Sequence, residues 1–136
     1  MQSMSSRKTV RRRGIHPLAL TLGLVAASLV VASALHLSGI VHGRAAPYDA
    51  SDAGTAEALI AVALGYAATS LERARPHAKT IAVGALLFAI AGFIVGLIMT
   101  ARGGHAPDIV YHSATLPVLV ASLVVAARLN RPAFRA

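Results

Sequence analysis

The sequence predicts an all-α, polytopic membrane protein: an up-down four-transmembrane-helix bundle with N- and C-termini cytoplasmic. Three observations carry that prediction. Four apolar stretches, approximately 17–37, 53–71, 80–100 and 107–127, divide the 136-residue chain. Each is about twenty residues long, the length an α-helix needs to cross roughly 30 Å of hydrocarbon. The chain is 56% hydrophobic and only 13% charged, where a soluble domain carries about 25% charged residues. Finally, eleven of its thirteen Lys and Arg residues lie at alternate ends of the stretches. Short loops rich in Lys and Arg stay in the cytoplasm.

The elements follow in order. Residues 1–15 form a basic cytoplasmic tail carrying Arg7, Lys8, Arg11, Arg12 and Arg13. Residues 16–128 form the four-helix transmembrane domain, and 129–136 a short cytoplasmic tail. Pro17 suits the first turn of span 1, where its missing N–H costs no hydrogen bond. Span 1 has a second reading as a signal peptide, with Ala32-Ser33-Ala34 as the cleavage site; its apolar run is longer than the usual h-region. The outer loop 38–52 contains the turn formers Gly39, Gly43 and Pro47, with Asp52 as the expected N-cap of span 2. Residues 72–79 make a tight inner turn, with Pro76 interrupting any continuous helix and Arg73, Arg75 and Lys79 marking it as cytoplasmic. Gly103 and Gly104 end span 3 in loop 101–106, and Pro107 opens span 4. Pro117 is expected to kink span 4, with the Ser113 hydroxyl one turn earlier near the freed carbonyl. Arg128, Arg131 and Arg135 follow. Such short turns make neighbouring helices antiparallel.

Lipid tails are as apolar as leucine, so membrane helices associate by close packing at small residues and by polar contacts. Span 2 has a line of small residues through Gly54, Ala58, Ala61, Gly65 and Ala68. Span 3 has Ala85, Ala89, Gly92 and Gly96, which includes a GxxxG, and span 1 has Gly23, Ala27 and Ala34. The helix-packing candidates are Ala61, Gly65, Ala89, Gly92 and Gly96. Two uses are open to them: packing inside the bundle, or a face for a second copy or another membrane subunit.

The polar residues gather on the outer side. Four of the five acids, Asp49, Asp52, Glu57 and Asp108, belong there, as do four of the six histidines, His36, His42, His105 and His112. Carboxylates inside a span are rare and face the bundle interior, a partner or a water-filled path. Glu57 is therefore the leading candidate for proton or substrate coupling, with His36 or His112 as its proton partner; the alternative places Glu57 near the interface, reaching out to water. His36, His42, His105, Asp108 and His112 form a candidate metal set, because imidazole and carboxylate without thiolate suit Zn or Cu. Each has a structural alternative: Asp108 follows Pro107 in a first helical turn, where a carboxylate complements the helix dipole. Tyr48 and Tyr111 fall at the outer interface, and mid-span Tyr66 needs a partner for its hydroxyl.

Several function classes are excluded or disfavoured. The chain has no cysteine, which removes disulfides, thiolate metal sites and thiol catalysis. No nucleophile–base pair, phosphate loop or cofactor motif is present, so an enzyme is not expected, and no cofactor beyond the Zn or Cu option. The net charge of +8 would suit a nucleic-acid binder, but its distribution is that of a topology signal, with anionic lipid at the cytoplasmic face as the partner. In length and helix count the chain resembles the small multidrug-resistance transporters. That family carries its glutamate in the first span and lines its path with aromatics, whereas here the acid is in span 2 and Trp is absent. The Ala, Val, Leu and Arg bias looks like a GC-rich bacterial genome, which places the chain as a multi-pass protein of a bacterial inner membrane. The expected function is a small non-catalytic accessory or scaffold subunit, packed against another membrane subunit or itself. The alternative is a small proton- or metal-coupled transporter using Glu57 and the outer histidines.

Overall fold

The computed structural model describes residues 16–129. They form four α-helices, α1 (Pro17–Leu37), α2 (Ala50–Glu72), α3 (Ala78–Gly103) and α4 (Ala106–Arg128), with no strand among the described residues. All four are long and apolar enough to cross a membrane. The expected tails, with Arg7 to Arg13, Arg131 and Arg135, lie outside the described residues.

Local chemistry explains the helix boundaries. α1 starts at Pro17, as its fixed φ and missing N–H favour. His16 supplies no side-chain cap; instead Glu72, at the end of α2, accepts the His16 backbone N–H at 2.8 Å. This puts a carboxylate against the positive end of α1. α2 begins at Ala50 and not at Ala53, because Asp49, and not Asp52, is its N-cap. The Asp49 carboxylate accepts the Ser51 N–H and hydroxyl, both at 2.7 Å, and holds Asp52 in the first helical turn. These bonds stabilise the charged form and hold the Asp49 carboxyl below its ordinary pKa. α3 runs on to Gly103, so the expected loop 101–106 shrinks to residues 104–105. α4 continues through Pro117, and Ser113 is exposed.

The largest helix interface is α1 on α2, followed by α3 on α4 and α2 on α3; α1 and α4 touch least. Leu22, Leu29, Leu64, Leu86, Phe93 and Leu119 are fully buried between them. The buried face of α1 is Leu18, Leu22, Val25, Leu29, Ser33 and His36. This corrects the small-residue reading of span 1: Ala27 and Ala34 are exposed, and a Cβ at Gly23 would meet nothing within 4 Å. The small residues of α3 do lie at crossings. Ala89 is fully buried, and a Cβ on Gly92 would come 2.5 Å from Ile60 of α2. One on Gly96 would come 2.5 Å from the His112 ring of α4. The two glycines of the GxxxG thus admit side chains from two different helices. In α2, Ala61 is buried, but a Cβ on Gly65 would meet nothing within 4 Å. At that level Leu64 and Ala68 carry the buried line, because the face drifts along a helix of 3.6 residues per turn.

Both ends of the bundle are tied by polar contacts. At one end, Lys79 donates to the Ala127 and Leu129 carbonyls, each at 2.7 Å, covering the C-terminus of α4 where a cation is favourable. Arg75 donates to the Tyr66 hydroxyl at 3.2 Å and lies over its ring. At the other end, the loop between α1 and α2 folds onto the end of α3. The Arg44 and Ala45 N–H groups donate to the Gly103 carbonyl at 2.6 and 3.3 Å, and a Cβ on Gly103 would run into the Ala45 carbonyl oxygen. Only glycine allows that approach, which seats Tyr48 over the end of the bundle.

Candidate functional site

The loop, α1 and α2 converge on one buried imidazole. Ser33 donates its hydroxyl to the Gly54 carbonyl at 2.7 Å, and a Cβ on Gly54 would press on Leu37 and on His36 Cβ. That close crossing brings the last turn of α1 against the second turn of α2. His36 and Glu57 then meet, with His36 Nδ1 2.8 Å from Glu57 Oε2. Each residue is only 5% exposed, so Glu57 does not reach out to water. The other ring nitrogen, Nε2, lies 2.8 Å from the Tyr48 hydroxyl and 3.8 Å from Asp108 Oδ2.

The hydrogen-bond pattern assigns the protons. Burial, and the nearby negative charges of Asp108 and Glu57, push the Tyr48 phenol up to about 12. It therefore stays protonated in any physiological medium and donates to His36 Nε2. The ring then carries its proton on Nδ1 and donates it to Glu57. Tyr48, His36 and Glu57 form a continuous donor–acceptor chain from the loop to the interior of α2. Asp108 Oδ2 is buried with no hydrogen-bond partner among the described residues.

His112 is oriented separately. Its Nδ1 lies 2.8 Å from the Asp108 backbone carbonyl; a carbonyl only accepts, so Nδ1 is the protonated nitrogen and Nε2 keeps its lone pair in the neutral ring. The ring packs on Phe93 and Tyr111, with centroids 5.0 and 5.9 Å away, and the Tyr111 hydroxyl pairs with Ser28 of α1 at 2.8 Å.

A cleft of about 430 Å³ opens beside this group, between α2 and α3 and beneath the loop. Its polar end presents His36, Glu57, Tyr48 and His112, with Asp49 and Asp52 at the mouth. Its walls are apolar, with Ile60 on one side and Phe88, Phe93, Val95 and Met99 on the other. Phe88 and Val95 are 50% and 60% exposed, so the cleft is open sideways, toward the surface that would meet lipid. No family model matches the chain, and neither a curated protein nor a solved structure matches it. The site must therefore be read from its own chemistry.

The three residues singled out for coupling, Glu57, His36 and His112, all line this cleft. The candidate metal ligands do not converge. His42 is exposed on the loop, His105 is the N-cap residue of α4 with no capping bond from its side chain, and the Nδ1 atoms of His36 and His112 are already engaged. Among the described residues no three His, Asp or Glu side chains form a group that could hold a metal ion. Tyr48 is the residue that sequence reasoning missed in this role. It reads as an interfacial anchor, and the only sign of its real position was the run of turn formers ahead of the α2 cap, which folds the loop back.

Proposed function

We propose that this chain is a small proton-coupled membrane protein that binds a small molecule in the cleft and exchanges it against a proton held by Glu57 and His36. One observation carries this reading: a carboxylate and an imidazole, both buried and hydrogen-bonded to each other, form the floor of an open cleft in a helix bundle fit for a membrane. An ionisable pair is costly there and needs a reason. Packing alone would be served as well by apolar side chains of similar volume.

The pair also offers a way for a proton to act on the bundle. A second proton on His36 turns Nε2 from acceptor to donor. Tyr48 must then rotate its hydroxyl, and the unpartnered Asp108 Oδ2 becomes an acceptor 3.8 Å away. Protonation would draw the start of α4 toward the end of α1, across the interface with the fewest contacts. We place the site on the outer side of a bacterial inner membrane, in an up-down bundle with both termini cytoplasmic. Support comes from Arg73, Arg75, Lys79 and Arg128 lying at the opposite end from Glu57.

The test uses proteoliposomes holding a pH indicator, with protein-free vesicles as the control for passive leak. Small amines, amino acids, sugars and organic anions are added in turn across an imposed pH gradient. At least one class is expected to collapse the gradient in wild type and to leave it intact in Glu57→Gln. Wild type and variant behaving alike toward every class would overturn the reading. A second reading, a non-catalytic accessory subunit, is favoured by the unpacked small residues of α1 and the shallow groove along Val30, Ala34, Leu37, Ala58 and Val62. It requires a stoichiometric membrane partner after mild detergent extraction.

A further inference from the structure

The chemistry of the cleft narrows what it would bind. Among the described residues its lining includes Glu57, Asp49 and Asp52 and contains neither Lys nor Arg. An anionic ligand finds no counter-charge there, and a cation finds several. Two buried side chains face the cleft with an unused acceptor. Glu57 Oε2 is taken by His36 and His112 Nδ1 by a backbone carbonyl. Glu57 Oε1 and His112 Nε2 have no hydrogen-bond partner among the described residues, and neither is sealed away from the cleft. Both atoms accept and neither donates, so a ligand that satisfies them must bring N–H or O–H donors. The apolar walls and the sideways opening suit a body that partitions into lipid.

We propose that the cleft takes a free amphiphilic amine in its protonated form, with its N–H donors on Glu57 Oε1 and His112 Nε2 and its apolar body along Phe88, Val95 and Met99. This rests on reading the cleft as a ligand site, and it adds the requirement for N–H donors, which excludes quaternary ammonium ions as good ligands.

The test is equilibrium binding to wild-type protein in phosphatidylcholine nanodiscs, with empty nanodiscs as the partition control. The probes are phenylbutylamine, its N-trimethylated analogue and phenylbutanol. The amine is expected to bind saturably, and the other two at least about tenfold more weakly, the usual worth of charge-assisted hydrogen bonds. Glu57→Gln should weaken the amine by a similar factor. Ala91→Phe, which fills the cleft from an exposed lining position, should do so without touching the polar residues; thermal melts confirm that both variants are folded. Equal affinity for the trimethylated analogue, or binding unchanged in both variants, overturns the proposal. Displacement of the amine by added phosphatidylethanolamine also overturns it, in favour of a lipid headgroup. Amine binding without amine-linked proton flux would retain this proposal and overturn the coupling reading. Proton-linked flux of another solute class without amine binding would do the reverse.

Discussion

Glu57→Leu alone is expected to destabilise the protein by about 1–3 kcal/mol, the cost of a buried donor left unpaired, whereas His36→Leu combined with Glu57→Leu should cost less than the two single changes together. The single change leaves a buried imidazole without its carboxylate, in a bundle whose outer surface would meet lipid and not water. Nε2 keeps its bond to Tyr48, but Nδ1 loses the carboxylate that accepts its proton, and a buried donor left unpaired is costly. The double change removes both members of the pair, leaves only the half-buried Tyr48 hydroxyl without its acceptor, and places leucine in a cleft whose wall already includes Ile60. The measurement is a double-mutant cycle on thermal or detergent-induced unfolding in micelles. The expected coupling is large and of the sign that makes the double mutant more stable than the sum of the singles. Additive losses would mean that the two side chains are not each other's partner.

The second large effect is expected at Gly103. In Gly103→Ala the new methyl group lands on the Ala45 carbonyl oxygen and close to Tyr48 Cβ. Backbone cannot rotate out of the way as a side chain can, so the loop must lift. Lifting it breaks the Arg44 and Ala45 hydrogen bonds to Gly103 and takes Tyr48 off His36. A loss of about 1–3 kcal/mol is expected, as for an overpacked core position, with fast amide exchange confined to residues 44, 45 and 48. Gly84→Ala is the control. A Cβ there meets nothing within 4 Å, so the change should be neutral or stabilise by up to about 1 kcal/mol through helix propensity. Similar losses at both positions would show that the loop is not seated on the end of α3.

The helices themselves were legible in the sequence, since length and hydropathy dominate when every backbone group must be satisfied within its own segment. α1 runs over the predicted residues because Pro17 marks its start without ambiguity. The start of α2 was misplaced because Asp49 and Asp52 are both good caps, and only the geometry of the Asp49–Ser51 turn chooses between them. The inward face of α1 was not legible at all. In a helix apolar on every side there is no polar face to contrast with the core, and the small residues Gly23, Ala27 and Ala34 pointed to the wrong one. Glu57 stands out because a carboxylate in a span is rare, and His36 and His112 are legible as its neighbours only from their position at the same end. The bond to Tyr48 and the orphaned Asp108 oxygen depend on how the loop folds back, which no periodicity records.

The central claim is that His36 links Tyr48 to Glu57 within the bundle, and its ring nitrogens report on both bonds. In protein labelled with ¹⁵N-histidine and held in bilayers, one imidazole is expected to show hydrogen bonds at both nitrogens. Glu57→Gln should shift Nδ1 most, and Tyr48→Phe should shift Nε2 most. A His36 ring whose signals ignore both substitutions would contradict the account.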